Sequence, residues 1–508
     1  MKYILSLLIF ASSLLTININ FAAAHSSSEE KIIFDGLTDI YNLRFNDAEI
    51  KFKNLQRQDP NGLEGYFYES LLYFYKSLPS RDEVMFEKYL QLSDILIVRA
   101  ENILDKNEND FDALYYKGLS HSYRSLLMLS LNKSLLKAAS NGNDGYRILS
   151  MLIEKKPDYY DAYMGLGLYK IAIGFVPEKF QWLLTLIGFN GNIQEGVRLL
   201  ETSLANGKYT KVESKAFLSI FSIKEREDDD RRALNFSREL TEEFPSSSVF
   251  RLFYSSLLLQ NGLTEDAIKV SNEALGINKN SFQDEVKKTA NAILGTAYFR
   301  QNDFPKASEY LDEYMKYVIR EDRYNVYLFT LGVSQELSGN RTLAVSKYKS
   351  VRDNFINERD GELDKFFYRY AQDKIKKPLR TLDAQFIEAM NMRESNLLDE
   401  ALKTYNSIAS DLKEATDDDM IRLYFNLGVT YAYKKDDVKA AECFNKCLKF
   451  DPKSEIWLLP HSYFELGKIY DRQGNKNLSD QMFDKIFDFD DFDFESFLEM
   501  RLANYRNK

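Results

Sequence analysis

A chain of 508 residues that is 44% hydrophobic and 28% charged has the composition of a folded protein, not a disordered one. Its formal net charge of −10 lacks the basic footprint of a nucleic-acid binder. Only 9 Pro and 22 Gly argue against a loop-rich β protein, and three His with two Cys leave little material for metal or acid–base chemistry.

The first 24 residues have the pattern of an export signal. Lys2 is a short basic start, Ile4 to Leu15 is mostly apolar, and Ala22-Ala23-Ala24 precedes His25 as a cleavage site. Asn18 and Asn20 stop the apolar run short of the ~20 residues that span a bilayer. Without a Cys near the site, a lipid anchor is excluded. A mature protein beginning at His25 is therefore expected in the periplasm or outside the cell, with an envelope association. Residues 25–30 are expected to be an unstructured start.

Apolar periodicity then predicts helices throughout. A first pair covers Ile32 to Leu43 and a helix with Ala48, Phe52 and Leu55 ahead of Pro60. A second opens at Gly62 with Tyr66, Phe67, Tyr73 and Phe74, followed by a long helix from Glu83 to Leu104. Residues 111–138, with Tyr115, Gly118 and Tyr123, are expected to end in a turn at Asn141-Gly-Asn-Asp-Gly145. A helix follows to Lys156-Pro157, and then another from Tyr160 to Leu168 that carries Leu166-Gly167. Its small-residue partner, Gly196, comes 29 positions after Gly167, because an apolar insert at 171–192 intervenes.

From 214 onward the spacing is more regular. Ala233 and Ala267 lie 34 residues apart. Gly295 with Ala307, Gly332 with Ala344, and Ala389 with Ala401 repeat a twelve-residue step. A linking helix from Leu363 to Ile375 interrupts them. Ile421 to Pro452 is the clearest stretch: Leu427-Gly428 and Tyr431 on one helix, Ala440, Phe444 and Cys447 on the next, and Pro452 after its end. Leu466-Gly467, Tyr470 and Phe483 form one more pair, and a polar helix to about Tyr505 caps the series.

The 421–452 stretch resembles a tetratricopeptide (TPR) unit. The resemblance implies an all-α fold, a right-handed α-solenoid of stacked TPR-like helical hairpins with a C-terminal capping helix. The domain organisation expected is a signal peptide at 1–24, a divergent TPR-like helical region at 25–213 containing the insert, and a TPR array at 214–508 with its capping helix. A second, local resemblance covers residues 160–206, through Val176-Pro177, an apolar helix and Gly188-Phe189-Asn190-Gly191-Asn192 ahead of Gly196 and Leu199-Leu200. It is to a eukaryotic TPR family of mitochondrial and cytosolic proteins associated with clearance of protein inclusions and with lipid metabolism. The export signal departs from that setting, so the likeness implies a shared structural feature and no function.

No nucleophile–base or phosphate-cradling motif is present, so no catalytic residue, cofactor or metal is expected. Cys443 and Cys447, spaced i, i+4 on one helix, suit core packing better than a disulfide. The charged run Glu225 to Arg232 is expected to be a solvated turn between helices. Asp484 to Glu495 lacks the glycine and third ligand of a calcium loop, since Phe489 and Ile486 stand there. What remains is a protein-interaction scaffold whose first helices face a concave groove. The groove residues expected are Phe299, Arg300, Phe329, Phe425, Tyr433, Phe464, Lys468 and Arg472. The aromatics would grip a peptide or helix, and Lys468 with Arg472 would hold an acidic group beside them. The competing reading makes the protein a membrane-associated envelope component. In that case the insert at 171–189 touches lipid or an outer-membrane protein, because Phe175, Phe180, Trp182, Leu183, Leu186 and Phe189 exceed one helix face.

Overall fold

A computed structural model of the chain describes residues 28–174, 191–220, 227–277, 282–318, 324–357, 360–411 and 415–506. The leader, the cleavage point and most of the insert lie outside them. Among the described residues there is no strand. The helices fall into two compact units, residues 1–251 with 277–285 and residues 252–276 with 286–508.

The N-terminal unit runs α1 (28–41), α2 (Phe45–Gln58), α3 (Glu64–Ser80), α4 (Glu83–Leu104), α5 (Phe111–Ser130), α6 (Leu135–Lys155), α7 (Ala162–Gly174), α8 (Ile193–Asn206), α9 (Lys211–Ile220) and α10 (Glu227–Glu243). From α2 onward each helix packs against the next. Its core is aromatic, with Phe52, Tyr68, Phe74, Tyr89 and Tyr115 among its fully buried side chains. Phe74 meets Tyr123 edge-on at 4.9 Å between ring centroids, and Phe67 touches both Tyr115 and Tyr116. Such pairs add about 0.5–1.5 kcal/mol each beyond the area they bury.

Three local expectations change here. Residues 28–30 are already helical, so Glu29 and Glu30 lie in the first turn of α1. Residues 227–232 belong to α10, not to a turn, and Arg232 pairs with Glu201 at 2.6 Å. The predicted turn at Asn141–Gly145 is inside α6, and the chain breaks at 131–134 instead. There Asn132 takes φ 53° and the Ser134 side chain caps the new helix at Lys137 N. The glycines serve a close helix crossing. A Cβ on Gly145 would lie 2.6 Å from Ser122 Oγ and 2.9 Å from the Gly118 carbonyl.

The C-terminal unit contains α11 (Ser248–Gln260, which begins in the first unit), α12 (Thr264–Leu275), α13 (Gln283–Arg300), α14 (Phe304–Tyr314), α15 (Tyr324–Leu337), α16 (Arg341–Asn354), α17 (Glu362–Lys376), α18 (Thr381–Glu394), α19 (Leu398–Asp411), α20 (Asp417–Tyr433), α21 (Asp437–Cys447), α22 (Leu458–Arg472), α23 (Lys476–Asp484), a 3-10 turn at Lys485–Asp488, and α24 (Glu495–Arg506). The linking helix and the capping helix therefore stand where the sequence puts them.

One contact defines the hairpins of both units. A glycine on the first helix lies under a large side chain sixteen residues later on the second: Gly36 under Phe52, Gly295 under Leu311, Gly332 under Tyr348, Gly428 under Phe444, and Gly467 under Phe483. A Cβ at these glycines would come within 2.4–2.7 Å of the opposing side chain. Ala48, Ala307, Ala344 and Ala440, one turn before each large side chain, are fully buried in the same crossings. In the α11–α12 pair Ser255 replaces the glycine and meets Ser271 Oγ at 2.8 Å. Gly167 still crosses Gly196, where a Cβ would lie 2.8 Å from the Gly196 carbonyl. The hairpin thus closes across the insert.

Candidate functional site

The eight residues predicted for the groove all lie in the C-terminal unit, but the structure gives them different roles. Phe299 and Phe329 pack against one cluster built on Leu328, Val333, Tyr348 and Val351. Phe329 lies 5.0 Å from Phe367 and 5.4 Å from Tyr348, because α17 covers that face. Phe425 is half-buried between Phe444 at 5.7 Å and Trp457 at 6.1 Å. Phe464, expected in the groove, is instead fully buried. The capping helix α24 folds over it, placing Tyr505 at 6.3 Å and the Arg501 guanidinium 4.6 Å above its ring.

The cations are also engaged. Lys468 pairs with Glu465 at 3.2 Å and lies 5.3 Å over the Phe464 ring. Arg472 forms a two-pronged pair with Asp437, at 3.0 and 2.6 Å. The acidic group expected from a partner is supplied by the chain itself. Arg300 donates to the Leu259 carbonyl and lies 3.8 Å from the Glu394 carboxylate. Burial holds its guanidinium below the usual arginine range.

Tyr433 alone among the predicted aromatics stays open, 55% exposed at the end of α20. It lies within the fields of Glu394, Arg393, Glu465 and Arg300. Of the eight, Arg300 and Tyr433 lie within reach of each other's charge. Phe464 and Lys468 lie together as parts of the α22–α24 packing.

Around this point runs a ladder of polar groups that hydrophobic spacing gives no means of finding. Asn391 donates to the Phe299 carbonyl at 2.7 Å and to Asn302 Oδ1 at 2.8 Å. Arg393 donates to Asn426 Oδ1 at 2.7 Å. Arg380 grips Asp419 with two hydrogen bonds of 3.2 and 2.7 Å while also holding Asp383, which in turn accepts from Arg422 at 3.1 Å. Burial would raise the Asp383 carboxyl, but the Arg380 hydrogen bond and the charges of Lys374 and Arg422 hold it well below the usual carboxylate range. A buried charge is tolerated only when paired in this way. The ladder ties α18 to the end of α13 on one side and to α20 on the other, and its members are occupied.

Cys443 and Cys447 are both buried and free, and burial pushes their thiols up to about 11 and about 12. Among the described residues no three His, Cys, Asp or Glu side chains are grouped as metal ligands. Among the same residues no helix is long and apolar enough to cross a membrane.

Residues 421–454 and 460–491 match models of the tetratricopeptide repeat, and residues 161–318 match the Iml2/Tetratricopeptide repeat protein 39 family. No curated protein matches the chain. Among solved structures the chain is similar to the apo quorum sensor NprR from B. thuringiensis, at 12% identity over 91% of this chain and 98% of that one, with a TM-score of 0.31. It is also similar to YrrB, a TPR protein with an unusual peptide-binding site, at 19% identity over 44% and 96%, with a TM-score of 0.22. A tetratricopeptide repeat protein from Parabacteroides merdae is 14% identical over 58% and 99%, with a TM-score of 0.25. The chain therefore carries tetratricopeptide repeats at 421–454 and 460–491, which indicate a scaffold for protein–protein contacts, and its middle segment at 161–318 is similar to the Iml2/Tetratricopeptide repeat protein 39 family.

Proposed function

We propose that the protein is an exported, non-catalytic scaffold that holds a peptide or helix of a partner protein against the first-helix face of its C-terminal repeats, centred on Tyr433. The leader pattern at 1–24 supports export to the periplasm or cell surface. The observation that carries the binding site is the exposed Tyr433 ring. A large aromatic left open beside Arg300 and Glu394 offers both apolar area and flanking charge, while the other expected groove residues are packed or paired. Tyr433→Ala should leave the melting temperature nearly unchanged and cut partner recovery from envelope fractions about tenfold. A variant that recovers the same partners in the same amount overturns this site. N-terminal sequencing that finds Met1 retained overturns export.

A specific observation also favours the second reading, a membrane-associated envelope component. Leu135 and Leu136, at the start of α6, are 71% and 82% exposed. Tyr146 of α6 stacks on Tyr169 of α7 at 4.3 Å, and Leu149 packs on Gly165, so the antiparallel register carries the end of α7 toward those leucines. The apolar insert leaves α7 there and returns at Gly191, beside Gly174. Flotation with lipid vesicles that survives Leu135→Ser with Leu136→Ser would remove this support.

A further inference from the structure

Four first helices of the C-terminal unit share a covering rule. Three residues before the small residue of each crossing stands a phenylalanine: Phe329 before Gly332, Phe386 before Ala389, Phe425 before Gly428 and Phe464 before Gly467. Each ring is covered from the helix two places further along the chain. Phe367 of α17 lies 5.0 Å from Phe329, and the Arg422 guanidinium of α20 lies 4.6 Å over Phe386. Trp457 at the start of α22 lies 6.1 Å from Phe425, and Arg501 of α24 lies 4.6 Å over Phe464. Stacked repeats are stable because each one covers its neighbour's apolar face.

The capping helix α24 repeats the signal without the cover. Leu498 and Leu502 turn inward beside Phe464 and Phe483. Ala503 is the small residue, so Met500 falls where the four phenylalanines stand. Met500 is 41% exposed, and Phe497, one turn earlier, is 49% exposed. No helix among the described residues lies over this pair. Their neighbours on the same face, Ser496 and Ala503, are small and uncharged, so another helix can approach closely. A cap that only solvated the array would carry polar side chains there.

We propose that this face of α24 binds the same face of a second copy, forming a two-fold dimer in which the two helices lie side by side and parallel. The element that covers each earlier ring is a helix of this same array, and α24 of another copy is such a helix. Charge selects the direction. At ~100° per residue, Glu499 and Arg501 flank Met500 on opposite sides. A two-fold axis along the helices sets each Glu499 toward the partner's Arg501, whereas antiparallel helices set like charges together. The uncharged strip also gives a chain of net charge −10 a place where its copies meet without repulsion. The contact rests neither on the Tyr433 site nor on the insert.

Sedimentation equilibrium of the full chain should show monomer and dimer exchanging with a dissociation constant of about 10–100 µM, as expected of an interface smaller than the standard size. Phe497→Ser with Met500→Ser should weaken the dimer at least about tenfold, and Glu499→Lys about threefold. Circular dichroism should not change, because all three side chains are exposed. Ile50→Ser, at an exposed site in the other unit, and Tyr433→Ala should leave the dimer intact. On air oxidation Met500→Cys should give a disulfide-linked dimer and the parent none, since Cys443 and Cys447 are buried. That variant still decides the question if the double serine variant folds poorly. The proposal is overturned if the chain stays monomeric to about 300 µM, which would leave the face to a different protein. It also falls if the double serine variant dimerises like the parent, or if Met500→Cys does not cross-link. Oligomers that grow beyond the dimer would overturn it as well, since they require a head-to-tail contact.

Discussion

Replacing Gly428 by Ala tests the hairpin contact most directly. Helix propensity alone favours alanine over glycine inside a helix by ~1 kcal/mol. Gly428 takes no positive φ, so no backbone strain opposes the change. The opposition comes from the Phe444 ring, whose atoms would lie 2.7, 2.9 and 2.9 Å from the new Cβ. Phe444 is fully buried and braced by Phe425, so the ring has little room to retreat. Forcing a methyl into such a site costs ~1–3 kcal/mol, leaving a net destabilisation of ~0–2 kcal/mol once the ~1 kcal/mol of propensity is returned. The same substitution in a Phe444→Ala background should stabilise by up to ~1 kcal/mol, since the overlapping side chain is gone and the propensity remains. The two changes should therefore couple by ~1–3 kcal/mol. Urea unfolding of the four proteins by far-ultraviolet circular dichroism measures the cycle, with amide exchange over 421–447 to localise it, because repeat arrays need not unfold in one step. If Gly428→Ala stabilises the parent protein by ~1 kcal/mol, the close crossing does not exist and the sixteen-residue rule loses its physical basis.

Phe464→Ala should cost ~3–5 kcal/mol through a core cavity beneath α24, measured by chemical unfolding; an unchanged midpoint would return Phe464 to the groove. Glu213, buried on α9 with the Tyr75 hydroxyl 3.3 Å from one oxygen and the other unpartnered, has its carboxyl pushed up by burial to about 7 from 4.5. The groups facing it are Tyr41, Tyr68, Tyr75, Tyr123 and Asp161, none of which supplies a positive charge. A raised carboxyl contributes stability that is full below pH 4.5 and is lost as pH rises to about 7, a loss of about 3 kcal/mol in the N-terminal unit. Glu213→Gln should flatten that slope in unfolding curves taken across the window. Asp161→Ala removes the acceptor of the 208, 209 and 210 amides, at 2.9, 2.8 and 3.0 Å, and should cost ~1.5–3 kcal/mol, with faster amide exchange at the start of α9 as the local readout.

The sequence by itself determined the hairpins, because their signals are local. The apolar period marks each helix, and the small residue on one helix with the small one on the next sits at a fixed twelve-residue spacing whether or not any other repeat exists. Gly428 with Ala440, Gly332 with Ala344, and even Gly167 with Gly196 across the insert are therefore legible, while the large side chain four residues further on that covers each glycine emerges from the structure. Where a local signal carried two meanings the reading failed. Glycine at 142 and 145 marks a turn or a close crossing equally well, and only the approach of α5 decides which. The candidate site depended still more on distant chain. Phe425 and Phe464 occupy positions that a single repeat leaves open, and Trp457 and α24 close them. Arg472 lacks a partner only until Asp437 of the preceding repeat comes alongside, whereas Lys468 has Glu465 one turn before it on α22. Helix-forming preferences act over a few residues and are written in the order of the side chains. Exposure is a property of whatever covers a face, so which aromatics and charges remain free to bind was decided only when the repeats stacked.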